Sequence, residues 1–241
     1  MPSIVWGRDP REAYKNPYEY KAQNQFVREA KKILDKLFSE LMSYSMKFKR
    51  DNSSIKKAIW MLQVDALDSL RDCLLLMKRK KHRVAGTLFR VVIENLNLAA
   101  FFFSNTEKSN EKLREWYNDK IILNSIYRDF IRKTEGEEKA GRVKEYYGML
   151  SKITHRSYLT LGYSYILGRD DYIAYDGHAK TDILVLPQTI AMYYALLADF
   201  ILLISSEIKN RGLIENSVIE NIWKDSLETK TVPRRFVQQP Y

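Results

Sequence analysis

Residues 83–104, RVAGTLFRVVIENLNLAAFFFS, decide how the rest of the chain is read. The stretch is nearly all apolar, yet Arg90 and Glu94 stand in its middle, four residues apart. On a helix that spacing puts both on one face, one turn apart. A helix that is apolar almost all round is normally buried, and a buried charge needs a partner. The stretch therefore predicts a central helix carrying an internal ion pair, with the other helices packed around it. Both side chains are expected to be met there by polar groups from distant parts of the chain.

Composition agrees with such a bundle. The chain has 241 residues, 45% of them hydrophobic, which suffices for a sizeable core. Only nine Gly and six Pro favour long helices with short connections over a many-turned β fold. Lys and Arg number 40 against 30 Asp and Glu, a formal charge of +10, which favours polyanionic partners. One cysteine, Cys73, excludes an internal disulfide and any multi-cysteine zinc site; in SLRDCLLLM it reads as a small buried hydrophobe. The N-terminal residues contain no apolar run fit for a signal peptide, so a cytoplasmic location is expected. Residues 183–205 are as long as a membrane span, but Pro187, Gln188 and Asp199 within them favour a buried core helix, and no membrane association is expected.

Outward from the central stretch, apolar residues recur at helical spacing over residues 20–48, 55–80, 107–133, 138–154, 187–210 and 217–227. The expectation is an all-α fold, a single helical bundle of about six or seven helices spanning residues 20–227. An arm over residues 1–19 precedes it, a basic tail over residues 228–241 follows it, and residues 155–180 form an irregular insert. Within that insert, residues 157–167 read as helix or extended chain, and residues 172–175 as a short strand or an ordered loop. Residues 50–54 and 104–107 supply capping residues, and Gly212 a helix stop. In the second helix, Asp65 and Asp68 either form part of a solvated stripe with Arg71 and Asp72 or face Arg90 across the bundle.

Two sets of residues carry chemistry. The first is the run Lys78, Arg79, Lys80, Lys81, His82, Arg83 between two apolar helices. The helix dipole accounts for a few such charges at a helix end, whereas the full run reads as a phosphate-contacting corner. The second is Arg90, Glu94 and His155, the last at the C-terminal end of its helix. One reading is a polar network that fixes the register of the bundle. The other is a cleft where arginine holds a phosphate and histidine moves a proton from a ribose hydroxyl. A metal site of Glu94, His155 and an Asp lacks the paired Glu-x-x-His motifs of a di-iron bundle, so no metal and no cofactor are expected. No Gly-rich phosphate loop, GxSxG or HExxH appears.

LFRVVIENLNLAA (residues 88–100) and YYGMLSKITHRSY (residues 146–158) together resemble an uncharacterised bacterial helical family. In that family an Arg-x-x-x-Glu helix is followed by a Leu-Ser-x-x-x-His stretch. The family is in turn similar to HEPN-type bundles, many of which are ribonucleases or members of toxin–antitoxin and antiviral systems. The resemblance covers roughly residues 55–165 and carries over Arg90, Glu94 and His155 as shared polar residues. It departs at Gly148, Met149 and Leu150, where the ribonucleases place an arginine before the histidine. The resemblance and the charge together imply a nucleic-acid-binding protein, RNA more than DNA, with metal-independent ribonuclease chemistry or a defence role. A different class also fits: a non-catalytic interaction subunit, bound to a second copy or a partner protein, whose polar core is purely structural.

Overall fold

The computed structural model describes residues 19–43, 47–79, 81–155, 165–167, 173–175 and 187–228. The fold is an all-α bundle. Its helices are α1 (Glu19–Met42), α2 (Ile55–Lys78), α3 (His82–Phe103), α4 (Glu107–Tyr117), α5 (Asn124–Glu135), α6 (Glu137–Thr154), α7 (Pro187–Asn210) and α8 (Asn216–Ser226). Between α6 and α7, Tyr165–Leu167 (β1) and Ile173–Tyr175 (β2) pair antiparallel, with Ile166 opposite Ala174. The rest of the insert, most of the N-terminal arm and residues 229–241 lie outside the described residues.

Helix α3 is the centre of the bundle, packing against α2, α4, α5, α6 and α7. Its inward face is Ala85, Phe89, Val92, Leu96 and Ala99, all buried at helical spacing. Phe89 stacks on Phe200 of α7, ring centroids 5.3 Å apart. On α1 the buried series is Phe26, Ala30, Ile33, Leu37 and Leu41. The buried Cys73 thiol of α2 donates to the Ala85 carbonyl at 3.3 Å, and burial pushes the thiol's pKa well up, as suits a packing residue. The chain is drawn closed where α8 ends: Arg28 forms a two-pronged pair with Glu228 at 2.7 and 2.9 Å, and the Glu228 N–H donates to Glu29 at 2.9 Å.

The caps are those expected. Ser54 Oγ accepts from the Lys57 N–H at 3.3 Å at the start of α2, and Thr106 Oγ1 from the Ser109 N–H at 3.2 Å at the start of α4. Gly212, at φ +64, stops α7. The helix expected over residues 107–133 is instead two. Asp119 takes a left-handed conformation (φ 62) after α4, and the Lys120 N–H donates to the Glu115 carbonyl while the Asp119 N–H donates to Trp116, each at 3.0 Å. These two bonds are a Schellman stop, which needs a residue that tolerates positive φ; here aspartate supplies it where glycine is commoner. The break sends residues 118–123 across the surface of the bundle and opens a cleft beside α3.

Helix α3 also departs from expectation. It is long and apolar enough by composition to cross a membrane, yet it is the core helix described above. It is not buried all round: Val84 and Val91, seven residues apart, are 44% and 37% exposed, so one face is open. Neither Asp65 nor Asp68 faces Arg90. Asp68 pairs with Arg71 at 2.9 Å, which also reaches Asp35 of α1 at 3.1 Å, and Asp65 accepts from Asn95 at 2.6 Å.

Candidate nucleic-acid interface

Helix α6 runs back along α3, and Gly86 lets it come close. A Cβ at Gly86 would lie 2.7 Å from Ile153 Cγ2 and 2.7 Å from Tyr193 Cε1, so only glycine leaves room for α6 and α7 there. Ile153 is two residues before His155, and the close packing sets His155 beside Arg90.

Four side chains then meet. Arg90 Nε donates to Glu94 Oε1 at 3.0 Å, one Arg90 terminal nitrogen bonds His155 Nε2 at 2.9 Å, and the other donates to the Tyr147 hydroxyl at 2.6 Å. Tyr147 donates its own proton to Glu94 Oε1 at 2.6 Å. A guanidinium has only donors, so His155 Nε2 is the acceptor and the ring carries its proton on Nδ1. Three of the five Arg90 N–H groups are thereby engaged. Partial burial pulls the guanidinium pKa down, but the Glu94 carboxylate and the Tyr147 hydroxyl outweigh it and raise it overall. Burial first, then the bond to Glu94, holds the Tyr147 phenol above its ordinary value, so it serves as a donor and not as a base.

The expected ion pair is met by groups from a distant helix, Tyr147 and His155, but it is not internal. The Arg90 and Glu94 side chains are 25% and 38% exposed and stand on the rim of the cleft, because the open face of α3 turns them outward. The cleft is a cavity of about 500 Å³ whose lining includes Leu98, Phe101, Trp116, Asn124 and Tyr127, with residues 119–123 along its edge. Ile121 and Leu123 on that edge are 90% and 64% exposed. Burial pushes the Tyr127 phenol up to about 12. Tyr147, Asn124 and Trp116 belong to the site although they were not singled out in the sequence.

The basic corner is less continuous than its sequence. Lys78, Arg79 and Lys81 are exposed and Arg83 is half-buried, while Lys80 lies outside the described residues. His82 turns inward, 3% exposed, its ring 6.0 Å from that of Tyr193 and 6.2 Å from that of Tyr194. Lys78 also borders a smaller cavity, about 250 Å³, where Lys31 and Arg71 pair with Asp35 and Asp68. Arg83 and Arg90 lie seven residues apart on nearly the same face of α3, a rise of about 10 Å. Arg83, the end of the corner, and the polar cluster are therefore neighbours along one helix. Among the described residues, no three His, Cys, Asp or Glu side chains gather as a metal-ion site.

Comparison of the chain with protein-family models, with curated proteins and with solved structures finds no match.

Proposed function

We propose that this chain binds single-stranded RNA, with backbone phosphates on Lys78, Arg79, Lys81 and Arg83 and on Arg90. The observation that carries this reading is the 2.9 Å bond from His155 to Arg90, which itself lines a cleft with aromatic side chains in its wall, two helical turns from Arg83 of the basic corner. A basic path beside aromatic side chains is the arrangement that holds an unpaired strand. The likeness to HEPN-type bundles points the same way and extends the proposal to metal-independent cleavage. Arg90 turns from His155 to a phosphate, which frees Nε2 to take the proton of the neighbouring ribose hydroxyl. The ribose oxygen attacks the phosphorus, and the bond to the next nucleotide's oxygen breaks. A cyclic phosphate and a free hydroxyl, protonated from water, are left.

The test is incubation of labelled generic RNA with the purified chain at low salt, following both binding and cleavage. Arg90→Ala is expected to weaken binding about tenfold, as loss of a charged contact does. His155→Ala is expected to keep binding and lose cleavage. RNA cut equally fast by His155→Ala removes the nuclease part, and absence of binding at low salt removes the whole reading.

A second reading is favoured by a separate observation. Val84 and Val91 on α3 and Ile121 and Leu123 beside the cleft are exposed apolar residues. They suit a protein interface, with a second copy or a different partner, in which Arg90, Glu94, Tyr147 and His155 only fix the packing of α6 on α3. Arg90→Ala and Glu94→Gln then lower the melting temperature and leave partner binding intact.

A further inference from the structure

The cavity beside the polar cluster has features that phosphate contacts leave unused. Its volume of about 500 Å³ falls in the range of small-ligand sites. Its apolar lining combines the aromatic side chains Phe101, Trp116, Tyr127 and Tyr147 with the aliphatic Leu98 and residues 121–123. Its charged lining is Arg90, Glu94, Asp119 and Lys120, two cations against two anions. Charges that cancel give an anion no net attraction into the cavity. Asn95 and Asn124 add two amides beside the Tyr127 and Tyr147 hydroxyls; Asn124 Oδ1 accepts from Asn97 at 3.4 Å, while Asn124 Nδ2 is buried with no hydrogen-bond partner among the described residues. A buried donor without an acceptor is costly, so an acceptor supplied by a ligand is favoured there.

One class of ligand meets these conditions together: a planar, uncharged group with acceptors on its edge. An aliphatic chain leaves the amide unsatisfied, and a bare phosphate gains nothing from the aromatic walls. We propose that this cavity takes one unstacked nucleobase, laid against Trp116 and Tyr127 with an acceptor atom on Asn124 Nδ2. The phosphates on either side stay outside, on Arg90 and toward Arg83. The strand in this proposal rests on the RNA-binding reading above, whereas the pocket stands on its own lining. Base recognition then lies in the cleft, and sequence-independent, salt-sensitive attraction lies in the corner.

The experiment titrates the full chain with the four free ribonucleosides and with ribose 5-phosphate, at low and at high salt. At least one nucleoside is expected to bind equally at both salts, and ribose 5-phosphate is expected not to bind. Asn124→Leu and Trp116→Ala are expected to weaken nucleoside binding by about tenfold, as loss of a base-stacking or edge contact does, while Trp116→Phe retains it. Melting curves identify any variant that fails to fold, and Asn124→Leu keeps the test open if Trp116→Ala does not fold. Binding of ribose 5-phosphate as tight as that of nucleosides, no nucleoside binding, or undiminished binding by folded Asn124→Leu overturns the proposal. A strand with abasic sites that binds as tightly as intact RNA overturns it too and leaves the RNA-binding reading standing. Nucleoside binding without any RNA binding does the reverse.

Discussion

Tyr147 joins the two charges of the cluster, and its hydroxyl both accepts from Arg90 and donates to Glu94. Tyr147→Phe is expected to cost about 1 kcal/mol in urea unfolding, the usual worth of such bonds. Combined with Glu94→Gln it is expected to cost less than the sum of the two, because the variants remove a shared bond. Gln63 is the opposite case. It is fully buried in α2, and neither amide atom has a partner among the described residues. Gln63→Met is therefore expected to leave stability unchanged or raise it by about 1 kcal/mol, and a clear loss contradicts this. Arg90 and Glu94 were legible in the sequence because charges are conspicuous in an apolar run. Tyr147 was not, because its position fits the apolar face of α6 and nothing in the spacing tells a bonded hydroxyl from a packed ring.

Two backbone positions arrange the helices around the cleft. Gly86 admits α6 and α7, and Gly86→Ala places a methyl 2.7 Å from Ile153 and Tyr193. The expected loss is about 1–3 kcal/mol, the range for overpacking, together with slower RNA cleavage as His155 is displaced from Arg90. Asp119 ends α4 at φ 62. Asp119→Gly is expected to raise the melting temperature slightly and Asp119→Val to lower it, since only glycine takes that conformation without cost. The element order was largely legible: periodicity, Ser54, Thr106 and Gly212 mark most boundaries by themselves. The break at residues 118–123 was not, because Trp116, Tyr117, Ile121 and Ile126 keep an approximate helical period through it and aspartate is a weak stop signal. The cleft depends on that break, so the site was legible as a polar pair and a distant histidine but not as a cavity.

At the scale of the molecule, two charge effects are expected. The Arg28 bond holds the Glu228 carboxyl below the usual glutamate range. Its contribution is then fully present above the unfolded glutamate value and is lost as pH falls through the lower folded one. Stability of the natural chain minus that of Glu228→Gln should accordingly be constant near neutral pH and shrink only in acid; a constant difference down to the acid transition contradicts the pairing. The other effect is the +10 formal charge, of which the corner is one concentrated part. The affinity of the full chain for a generic single-stranded RNA, measured across a salt series, tests the proposed interface most directly. A steep fall of log affinity with log salt is expected, with the slope reduced by roughly one for each of Arg79, Lys81 and Arg83 changed to Ala. Absence of binding at low salt, or a slope that all three replacements leave unchanged, contradicts it.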